Sequence, residues 1–315
     1  MDRYLVTGGA GFIGSHIVAR LIAEGHWVRV LDNFSSGKRE NLADFMKKNL
    51  EVIEGDICER KECERACLGM DYVVHEAALR SVPKSLQDPY SYNKVNIDGF
   101  LNILYASKKA EVKQVVFASS SSIYGEGVIF PQKEEHLPAL ISPYALSKLA
   151  GEYYGYIFTK HFGLPVVSLR YFNVFGERQS LEDEYAVVIP KFINCMLKGE
   201  QPPVHGDGKQ SRDFTYVANV VDATLLAVRK REAAGMVFNV GCGKESSILE
   251  LVATLNKILK KDLKPFFTVP RPGDVRRTLA DITRAKKILG YQPRVDFETG
   301  LKFTVEYFQK IWAHN

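Results

Sequence analysis

Tyr144 and Lys148 stand four residues apart and are the pair of side chains in this sequence best suited to proton transfer. Residues four apart lie on one face of a helix, and an ammonium group beside a phenol favours the phenolate. A free tyrosine, with a pKa of about 10, is a poor base at neutral pH. The spacing therefore predicts a tyrosine that moves a proton to and from a bound hydroxyl, with Lys148 lowering its pKa.

Four consecutive serines, Ser119–Ser122, provide a hydroxyl partner for such a tyrosine. They come at the end of a run of apolar residues that predicts a buried strand, and open parallel sheets bind ligands at the carboxyl ends of their strands. A serine at this place can donate a hydrogen bond to a substrate oxygen. The alternative for each of the four is an ordinary serine-rich turn at a strand end.

A glycine pattern near the beginning of the chain predicts a dinucleotide site. The segment Thr7–Gly14 places glycines at three-residue intervals between a predicted strand and a predicted helix. Gly8 permits the tight turn, Gly11 lets the backbone approach a pyrophosphate, and Gly14 lets the helix pack on the strand. The amides and the positive dipole end of the helix then favour the anion.

Asp32 distinguishes between the two common nicotinamide dinucleotides. It ends a predicted strand after Gly14, where a carboxylate accepts both ribose hydroxyls of NAD and repels the 2′-phosphate of NADP. Lys38 and Arg39 come too late in the sequence to be assigned to that phosphate. We therefore predict NAD as the cofactor, the alternative being that Asp32 is a turn residue or a helix cap.

Alternating strands and helices must position these residues. The predicted strands are Arg3–Thr7, Trp27–Asp32, Leu50–Glu54, Tyr72–His75, Val115–Ser119, Val166–Arg170 and Val237–Val240. The predicted helices are Phe12–Glu24, Ile97–Ala110, Tyr144–Phe162 and Ile248–Lys260. Strands separated by helices imply right-handed crossovers and a parallel sheet covered on both faces. We predict an α/β fold, a doubly wound parallel Rossmann sheet with a smaller C-terminal substrate lobe.

The rhythm of strands and helices changes at about residue 173, where the loops lengthen. We predict that residues 1–172 form an NAD-binding Rossmann domain, to which the chain returns near residues 214–240 and 275–290. Residues 173–315 are expected to form mainly a lobe that clamps the second ligand over the sheet.

The composition excludes several classes of protein. The 315 residues are 46% hydrophobic and 25% charged, which indicates a folded chain with a large core. The net charge of +5 forms no Lys/Arg block, and no apolar run is long enough to span a membrane. The five cysteines lack zinc-binding spacing, and no signal-peptide pattern precedes the first strand. We predict a cytoplasmic protein with reduced thiols, no metal, and no nucleic-acid or membrane partner.

Taken together, these motifs resemble the extended short-chain dehydrogenase/reductase family and, within it, the UDP-hexose 4-epimerases. The matching segments cover nearly the whole chain and are Thr7–Gly14, Asp32-Asn33, His75–Ala78, Ser119–Gly125, Tyr144–Lys148, Arg170–Gly176, Gly206–Tyr216 and Arg271–Asp274. The resemblance implies an isomerase in which carbon 4 of the sugar gives a hydride to NAD. The keto-sugar then turns on its pyrophosphate tether, and the hydride returns to the other face.

The resemblance also implies the roles of the catalytic residues. Tyr144 would be the base on the 4-hydroxyl, and Lys148 would hold the nicotinamide ribose and depress the tyrosine pKa. Ser120, four residues before Tyr124, aligns best with the family's catalytic hydroxyl, and Ser121 is the neighbouring candidate.

The ligand-binding residues are likewise implied by the resemblance. Those expected to bind NAD are Gly8, Gly11, Phe12, Ile13, Gly14, Asp32, Asn33, Ser36, Gly37, Asp56, Ile57, Ala77, Ala78, Arg80, Asn96, Ser119, Tyr144, Lys148 and Tyr171. Those expected to bind a UDP-sugar are Arg80, Ser81, Ser120, Ser121, Tyr144, Asn173, Gln179, Val187, Val188, Ile189, Arg212, Arg271, Asp274 and Thr278. Arg80 stands where the family carries a lysine near the cofactor phosphates, which changes the shape of the group but not its charge.

Two positions bear on which sugar is bound. Thr278 stands where enzymes confined to glucose and galactose carry a bulky tyrosine, and its small side chain leaves room for a 2-acetamido group. Val187, in contrast, is bulkier than the alanine expected in strict N-acetyl enzymes. Our hypothesis is an enzyme that accepts UDP-GlcNAc and UDP-GalNAc and also UDP-Glc and UDP-Gal.

Other activities on the same fold are the alternatives. Sugar-nucleotide dehydratases resemble this chain but carry Asp-Glu where it has Ser121 and Ser122, and UDP-glucuronate decarboxylases carry a glutamate at the position of Ser122. Elimination needs an acid and a base that serines do not supply at neutral pH. A UDP-glucuronate 4-epimerase and a non-catalytic NAD-binding protein also stay open, since fold alone does not decide function.

The predicted helices Ile97–Ala110 and Tyr144–Phe162 carry apolar or aromatic residues on more than one face. Burial against the sheet explains part of this pattern. Because the family pairs such helices into a bundle between two subunits, the resemblance implies a homodimer.

Overall fold

The computed structural model describes residues 1–46, 48–180, 188–270 and 275–313. Its strands are β1 (Arg3–Thr7), β2 (Trp27–Asp32), β3 (Leu50–Glu54), β4 (Tyr72–His75), β5 (Gln114–Ser120), β6 (Val166–Tyr171), β7 (Val174–Phe175), β8 (Pro203–His205), β9 (Ser211–Arg212), β10 (Thr215–Tyr216), β11 (Val237–Val240), β12 (Ser246–Ser247) and β13 (Phe266–Thr268). Its α-helices are α1 (Phe12–Ala23), α2 (Arg60–Cys67), α3 (Val82–Gln87), α4 (Pro89–Asn93), α5 (Gly99–Lys109), α6 (Pro143–His161), α7 (Val188–Leu197), α8 (Val217–Arg229), α9 (Ile248–Leu259) and α10 (Phe297–Ala313). Short 3₁₀ or π segments span Arg39–Phe45, Lys94–Asp98, Ser121–Tyr124, Arg231–Ala233 and Ala285–Leu289.

Seven parallel strands form the central sheet, in the order β11-β6-β5-β4-β1-β2-β3. The chain runs outward from β1 to β3 and then returns to β4 on the other side of β1. The loops after β1 and β4 therefore part at the carboxyl edge of the sheet, which is where such sheets bind their ligands. The predicted α/β fold with a doubly wound parallel sheet is confirmed, and each predicted strand is a strand of this sheet.

The strands are apolar because helices cover both faces of the sheet. In β1, Leu5 belongs to one core cluster, whereas Tyr4 and Val6 belong to the other, since successive side chains of a strand point to opposite faces. Helices α2, α5 and α6 pack on the face of Leu5, and α1 and α8 on the opposite face. The two layers hold the carboxyl edge of the sheet in a fixed shape.

The predicted helices are confirmed with small shifts at their ends. Helix α1 ends at Ala23, and Gly25 takes a φ of 83° just beyond it, as expected of a stop. The helix predicted to begin at residue 97 begins at Gly99 because the residues before it form the π segment Lys94–Asp98.

A buried carboxylate ties the later part of the chain together. Asp213 accepts hydrogen bonds from the amides of Cys242 (2.8 Å), Gly243 (2.9 Å) and Ala280 (3.1 Å). Helices α7, α9 and α10 pack against one another beside the short strand pairs β8–β13 and β9–β12.

Within the described ranges, no helix has the length and apolar character required to cross a membrane.

Candidate active site

Tyr144 and Lys148 lie in the first two turns of α6. The helix begins at Pro143, whose fixed φ suits a first helical position. The hydroxyl of Ser142 caps it by accepting the amide of Ala145 at 3.1 Å. The ring of Tyr92 meets that of Tyr144 edge-on, with 6.3 Å between centroids. The local sequence thus fixes the orientation of the catalytic face of α6.

The Lys148 ammonium is buried at the carboxyl end of β5. Its Nζ donates to the carbonyl of Ala118 at 2.7 Å and lies 5.1 Å from the ring centroid of Phe117 and 6.0 Å from that of Tyr144. Burial lowers the pKa of Lys148 to about 8, and Glu76 partly opposes that shift. The side chain is therefore anchored beside Tyr144 through a backbone carbonyl.

The pKa of the Tyr144 phenol differs from the sequence prediction. Burial raises it, and a hydrogen bond with Ser120 and the charge of Arg80 lower it only in part. The prediction that Lys148 brings this pKa down is therefore wrong for the protein chain alone. The physical reason is that desolvation of the phenol dominates, while the Lys148 ammonium is directed at the carbonyl of Ala118.

The four serines have different partners. The hydroxyl of Ser119 donates to Glu152 at 2.5 Å, beneath the site. Ser120 ends β5, and its Oγ accepts the amide of Ser122 at 3.2 Å and also bonds Tyr144. Of the two serines named as catalytic candidates, Ser120 meets the tyrosine, and Ser121 lines the same cavity.

Glu152 and Arg170 form a buried ion pair under the serines, which sequence reasoning missed. Arg170 donates from Nε to one carboxylate oxygen at 2.9 Å and from Nη2 to the other at 2.7 Å. Both side chains are only 5% exposed. A signal existed, because Glu152 lies four residues after Lys148 and so on the same face of α6.

The glycine loop encloses a cavity of about 200 Å³, here named the cofactor cavity. Gly8 has a φ of 66°, and a Cβ there would lie 2.7 Å from the amide nitrogen of Ala77. A Cβ on Gly14 would lie 2.2 Å from the carbonyl oxygen of Gly8. Both positions therefore require glycine for the close approach of β1, α1 and the loop after β4.

Asp32 is built to accept a ribose diol. Its carboxylate oxygens accept the amides of Ala10 at 2.9 Å and Phe34 at 2.8 Å. A Cβ on Gly37 would lie 2.9 Å from both oxygens, so the glycine leaves the carboxylate uncovered on that side. Burial raises the pKa of Asp32, and the two amide hydrogen bonds oppose the rise. The arrangement fits NAD.

The structure places nearly all of the predicted cofactor residues around two connected cavities. The cofactor cavity is lined by Gly8, Gly11, Phe12, Ile13, Gly14, Asp32, Asn33, Ser36, Gly37, Asp56, Ile57, Ala77, Ala78 and Arg80. A larger cavity of about 560 Å³, here named the catalytic cavity, is lined by Ser119, Tyr144, Lys148 and Tyr171. Among cofactor-cavity residues that the sequence reasoning did not assign are Lys38, Asn41, Arg178 and Ser180. Arg178 and Ser180 flank Gln179, a predicted substrate residue, which was the available signal.

Asn96, which was predicted to bind the cofactor, is held by protein partners. Its side chain accepts the amide of Leu79 at 2.8 Å, and its Nδ2 donates to the carbonyl of Leu79 and the hydroxyl of Ser147, both at 3.0 Å. It lines neither cavity of the described chain. Asn96 therefore ties the loop after β4 to α6, and its contact with the cofactor stays a prediction.

Most of the predicted substrate residues meet in the catalytic cavity. Those that line it are Arg80, Ser81, Ser120, Ser121, Tyr144, Asn173, Gln179, Val188, Arg212 and Thr278. Ile189, which was also predicted, is fully buried on the core face of α7, whereas its neighbour Val188 faces the cavity. The predicted residues Val187, Arg271 and Asp274 lie outside the described residues.

Thr278 and Asn173, which the sequence reasoning treated separately, are bonded to each other. The Nδ2 of Asn173 donates to Thr278 Oγ1 at 2.8 Å, and the amide of Asp213 approaches the same oxygen at 3.3 Å. Asn173 itself has a φ of 35°. The small threonine therefore both leaves space and orients the asparagine amide.

Several lining residues of the catalytic cavity were not predicted. They are Glu76, Ser122, Ile141, Lys191, Phe192, His205, Gln210 and Phe214, among others. Glu76 and Ser122 each adjoin a predicted residue in sequence, which was the available signal. His205 and Lys191 reach the cavity only through the tertiary packing of β8 and α7.

Comparison with known proteins places this geometry among nucleotide-sugar enzymes. Residues 4–241 match the model of the NAD dependent epimerase/dehydratase family. A solved structure with a TM-score of 0.94 and 42% identity, covering 98% of this chain and 99% of the other, is a UDP-N-acetylglucosamine 4-epimerase from Methanobrevibacter ruminantium M1, in complex with UDP-N-acetylmuramic acid.

Two sequence relatives differ in their described activity. A putative UDP-glucose 4-epimerase from Methanocaldococcus jannaschii is 38% identical over 97% of this chain and 98% of its own length. A UDP-N-acetyl-alpha-D-glucosaminuronate decarboxylase from Bacillus cytotoxicus is 35% identical over 98% of both chains.

Proposed function

The chain belongs to the NAD dependent epimerase/dehydratase family, and we propose that it is an isomerase that inverts carbon 4 of a UDP-sugar through a transient 4-keto sugar. One observation carries the proposal. Ser120, Tyr144 and Lys148 meet at the carboxyl end of β5, in a cavity that adjoins the dinucleotide site. We propose further that residues 1–172 mainly hold the cofactor and residues 173–315 mainly the sugar nucleotide.

In the proposed reaction, Tyr144 takes the proton of the 4-hydroxyl as that carbon is oxidised and returns it to the ketone oxygen when the carbon is reduced. No proton is gained or lost over the cycle. Because burial raises the pKa of Tyr144, the protonated phenol is stable while the keto-sugar is held. Ser120 donates to the same sugar oxygen and orients it between the two hydroxyls.

When bound, NAD supplies the hydride acceptor and donor, and its oxidised ring adds a positive charge near Tyr144. The residues that would hold it are Asp32 at the adenosine ribose, Gly11 at the pyrophosphate, and Lys148 at the second ribose. Lys148 is already fixed by the carbonyl of Ala118, so it can contribute its charge without reorganisation.

We propose UDP-GlcNAc and UDP-GalNAc as substrates, with UDP-Glc and UDP-Gal also accepted. Support comes from the small side chain of Thr278 in the catalytic cavity and from its hydrogen bond with Asn173. The similar solved structure is that of a UDP-N-acetylglucosamine 4-epimerase. The guanidinium of Arg212, which lines the same cavity, suits the diphosphate.

The rival activities are elimination and decarboxylation, and a relative is described as a decarboxylase. Against them, Ser121 and Ser122 occupy the places at which the resemblance puts the acidic residues of those enzymes. Ser122 Oγ is buried without a hydrogen-bond partner in the described structure, and a serine does not supply a proton at neutral pH. A UDP-uronate epimerase is the second candidate, since it needs the same tyrosine and serine.

We also propose a homodimer formed by α5 and α6, in a protein of the cytoplasm. These helices leave large apolar side chains exposed, among them Tyr105 (46%), Leu146 (53%), Tyr153 (61%) and Tyr156 (47%). An exposed aromatic cluster of this kind is typical of a protein interface. A monomeric mass in light scattering would refute the dimer.

The test is to incubate the protein with NAD and UDP-GlcNAc, UDP-Glc or UDP-glucuronate separately and to follow the sugar proton signals by NMR. Appearance of the galacto epimer from UDP-GlcNAc is the expected result. Conversion of UDP-Glc alone would keep the reaction but refute the acetamido pocket. Conversion of UDP-glucuronate alone would favour the UDP-uronate epimerase, the second candidate. Conversion of none of the three would refute the proposed 4-epimerase activity.

A further inference from the structure

Glu76 is a carboxylate within the site to which the proposed reaction gives no role. It follows β4 directly, at the carboxyl edge of the sheet. Together with Phe12, Ile13, Ala78 and Arg80, it lines both the cofactor cavity and the catalytic cavity. Residues shared by both cavities mark the place where one opens into the other. Glu76 therefore lies at the passage between the two.

A chain of hydroxyl groups supports the Glu76 carboxylate from the protein interior. Tyr171 Oη lies 2.9 Å from Glu76 Oε1 and 2.8 Å from Thr224 Oγ1. Thr224 Oγ1 lies 2.9 Å from the carbonyl oxygen of Val220. When Glu76 is ionised, Tyr171 donates to it. When Glu76 is protonated, it donates to Tyr171, which donates to Thr224, which donates to Val220.

The hydroxyl of Tyr171 can hydrogen-bond to Glu76 in either protonation state, because only the hydrogens of Tyr171 and Thr224 need to reorient. Such an arrangement differs from a structural carboxylate such as Asp213, whose partners Cys242, Gly243 and Ala280 all donate through backbone amides. Amide donors require an acceptor and favour the ionised form. Tyr171 also favours the ionised form when it donates to Glu76, but its hydroxyl can accept the proton of the protonated form, so both states keep a hydrogen bond and nearby charge shifts the balance between them.

The charged and titratable groups around Glu76 come from two elements of the sheet and its cover, and from the loop after β4, whose Arg80 lines both cavities together with Glu76. Helix α6 contributes Lys148 and Tyr144, and β6 contributes Tyr171. Burial raises the pKa of Glu76 to about 7, and the Tyr171 hydrogen bond and the Lys148 charge oppose the rise. Glu76 in turn raises the pKa of Lys148 and of Tyr144. Its charge therefore acts on both residues of the proton-transfer pair.

We infer that Glu76 is a charge partner of the bound dinucleotide that makes the site prefer the oxidised over the reduced form. The inference rests on the proposed function, which puts the nicotinamide beside Tyr144 and Lys148. A carboxylate there attracts a cationic ring and has no such attraction for a neutral one. In an isomerase that must return each hydride to the sugar, this preference favours return over retention.

The hydroxyl chain makes the preference depend on pH. Above the pKa of Glu76 the carboxylate is ionised, so the preference for the oxidised form is complete. Below that pKa the side chain is protonated and the preference is lost. Loss of the positive charge nearby likewise favours protonation of Glu76, and the Tyr171 and Thr224 hydroxyls accommodate the added proton.

The experiment measures the dissociation constants of NAD⁺ and NADH by calorimetry, with the full chain and without any sugar nucleotide. Readings are taken below and above the pKa of Glu76, about 7. In the unmodified protein, the preference for NAD⁺ over NADH is expected to increase as the pH rises. In Glu76→Gln, which keeps the shape and the acceptor for Tyr171, the preference is expected to fall by at least about tenfold at the higher pH and to lose the change with pH that is centred near 7.

Glu177→Gln is the matched control. Glu177 also accepts a tyrosine hydroxyl, that of Tyr216 at 2.7 Å, but it lines neither of the two cavities of the described chain. Its preference and pH dependence should equal those of the unmodified protein. If Glu76→Gln fails to fold, Tyr171→Phe serves instead. It removes a hydrogen bond that lowers the pKa of Glu76, so the pH at which the preference changes should rise.

An unchanged preference in Glu76→Gln, with both cofactor forms bound, would overturn the inference and leave the proposed function intact. Failure of the unmodified protein to bind either form would overturn both.

Discussion

Replacing Glu152 by glutamine should destabilise the protein strongly, because it leaves a buried charge without its partner. Arg170 and Glu152 share two hydrogen bonds, at 2.7 and 2.9 Å, and each side chain is 5% exposed. Breaking a buried pair by removing one charge costs about 3–5 kcal/mol. Burial alone would lower the pKa of Arg170, but its bonds with Glu152 keep that pKa above its ordinary value, so the guanidinium stays charged and uncompensated.

The assay is chemical or thermal unfolding of Glu152→Gln, followed by circular dichroism. The matched control is Glu298→Gln, which breaks the exposed pair with Lys257, a contact of 2.6 Å between side chains 58% and 72% exposed. That change should cost less than about 1 kcal/mol, because water screens the pair. Activity should fall as well in Glu152→Gln, since Ser119 donates to Glu152 at 2.5 Å next to Ser120, the proposed catalytic hydroxyl.

A double variant with methionine at both Glu152 and Arg170 isolates the cause. Replacing both partners of a buried pair by apolar groups is often nearly neutral, so the double variant should recover most of the lost stability. A loss below about 1 kcal/mol in Glu152→Gln, or a double variant that is less stable than the single one, would refute the reasoning.

Three further predictions concern the site. Tyr144→Phe should lower kcat by about 100- to 10,000-fold, because it removes the group that carries the proton. Calorimetry should show unchanged UDP-sugar binding. Turnover equal to that of the unmodified protein would favour a non-catalytic role for Tyr144. Gly14→Ala should weaken NAD binding by at least about tenfold, measured by fluorescence titration, because its Cβ would lie 2.2 Å from the carbonyl oxygen of Gly8; unchanged affinity would mean that α1 can shift without cost. Thr278→Tyr should reduce kcat/KM for UDP-GlcNAc at least about tenfold more than for UDP-Glc. Thr278→Ala, which removes the hydrogen bonds from Asn173 and from the amide of Asp213 without adding bulk, should affect both sugars alike. Equal losses for the two sugars in Thr278→Tyr would contradict the acetamido pocket.

The central sheet, the glycine loop and the helix of Tyr144 could be predicted from the sequence because local signals and tertiary structure agree in these elements. The inner strands β1, β4, β5 and β6 are rich in buried apolar residues, as burial on both faces requires, and Gly8 and Gly14 stand at contacts that exclude a Cβ. Tyr144 and Lys148 could be assigned to one helix face from their spacing alone. The cofactor loop and the proton-transfer pair therefore follow from short-range chemistry.

The rest depends on contacts that no short segment encodes. Asn96 has the residue type of a ligand group, but Leu79 and Ser147 satisfy its amide. Ile189 and Val188 are neighbours, and only the packing of α7 decides which of them faces the core. The pKa of Tyr144 could not be predicted from the nearness of Lys148, because burial raises that pKa and the Lys148 ammonium is directed at the carbonyl of Ala118.

The hydrogen-bond partners of Glu76 could not be predicted either, because the row of hydroxyl groups beside it is assembled from elements distant in sequence. Tyr171 comes from β6 and Thr224 from α8. Nothing in the residues adjoining Glu76 indicates that its partners can accept either protonation state.

The most direct test of the proposed reaction is to follow UDP-GlcNAc carrying deuterium at carbon 4 through conversion by the protein with NAD. Direct removal and return of the hydride at one carbon predicts UDP-GalNAc that keeps the deuterium at carbon 4, takes up no solvent hydrogen there, and forms without accumulation of free NADH. Loss of the label to solvent, net formation of NADH, or a product lacking the 4-hydroxyl would contradict the account.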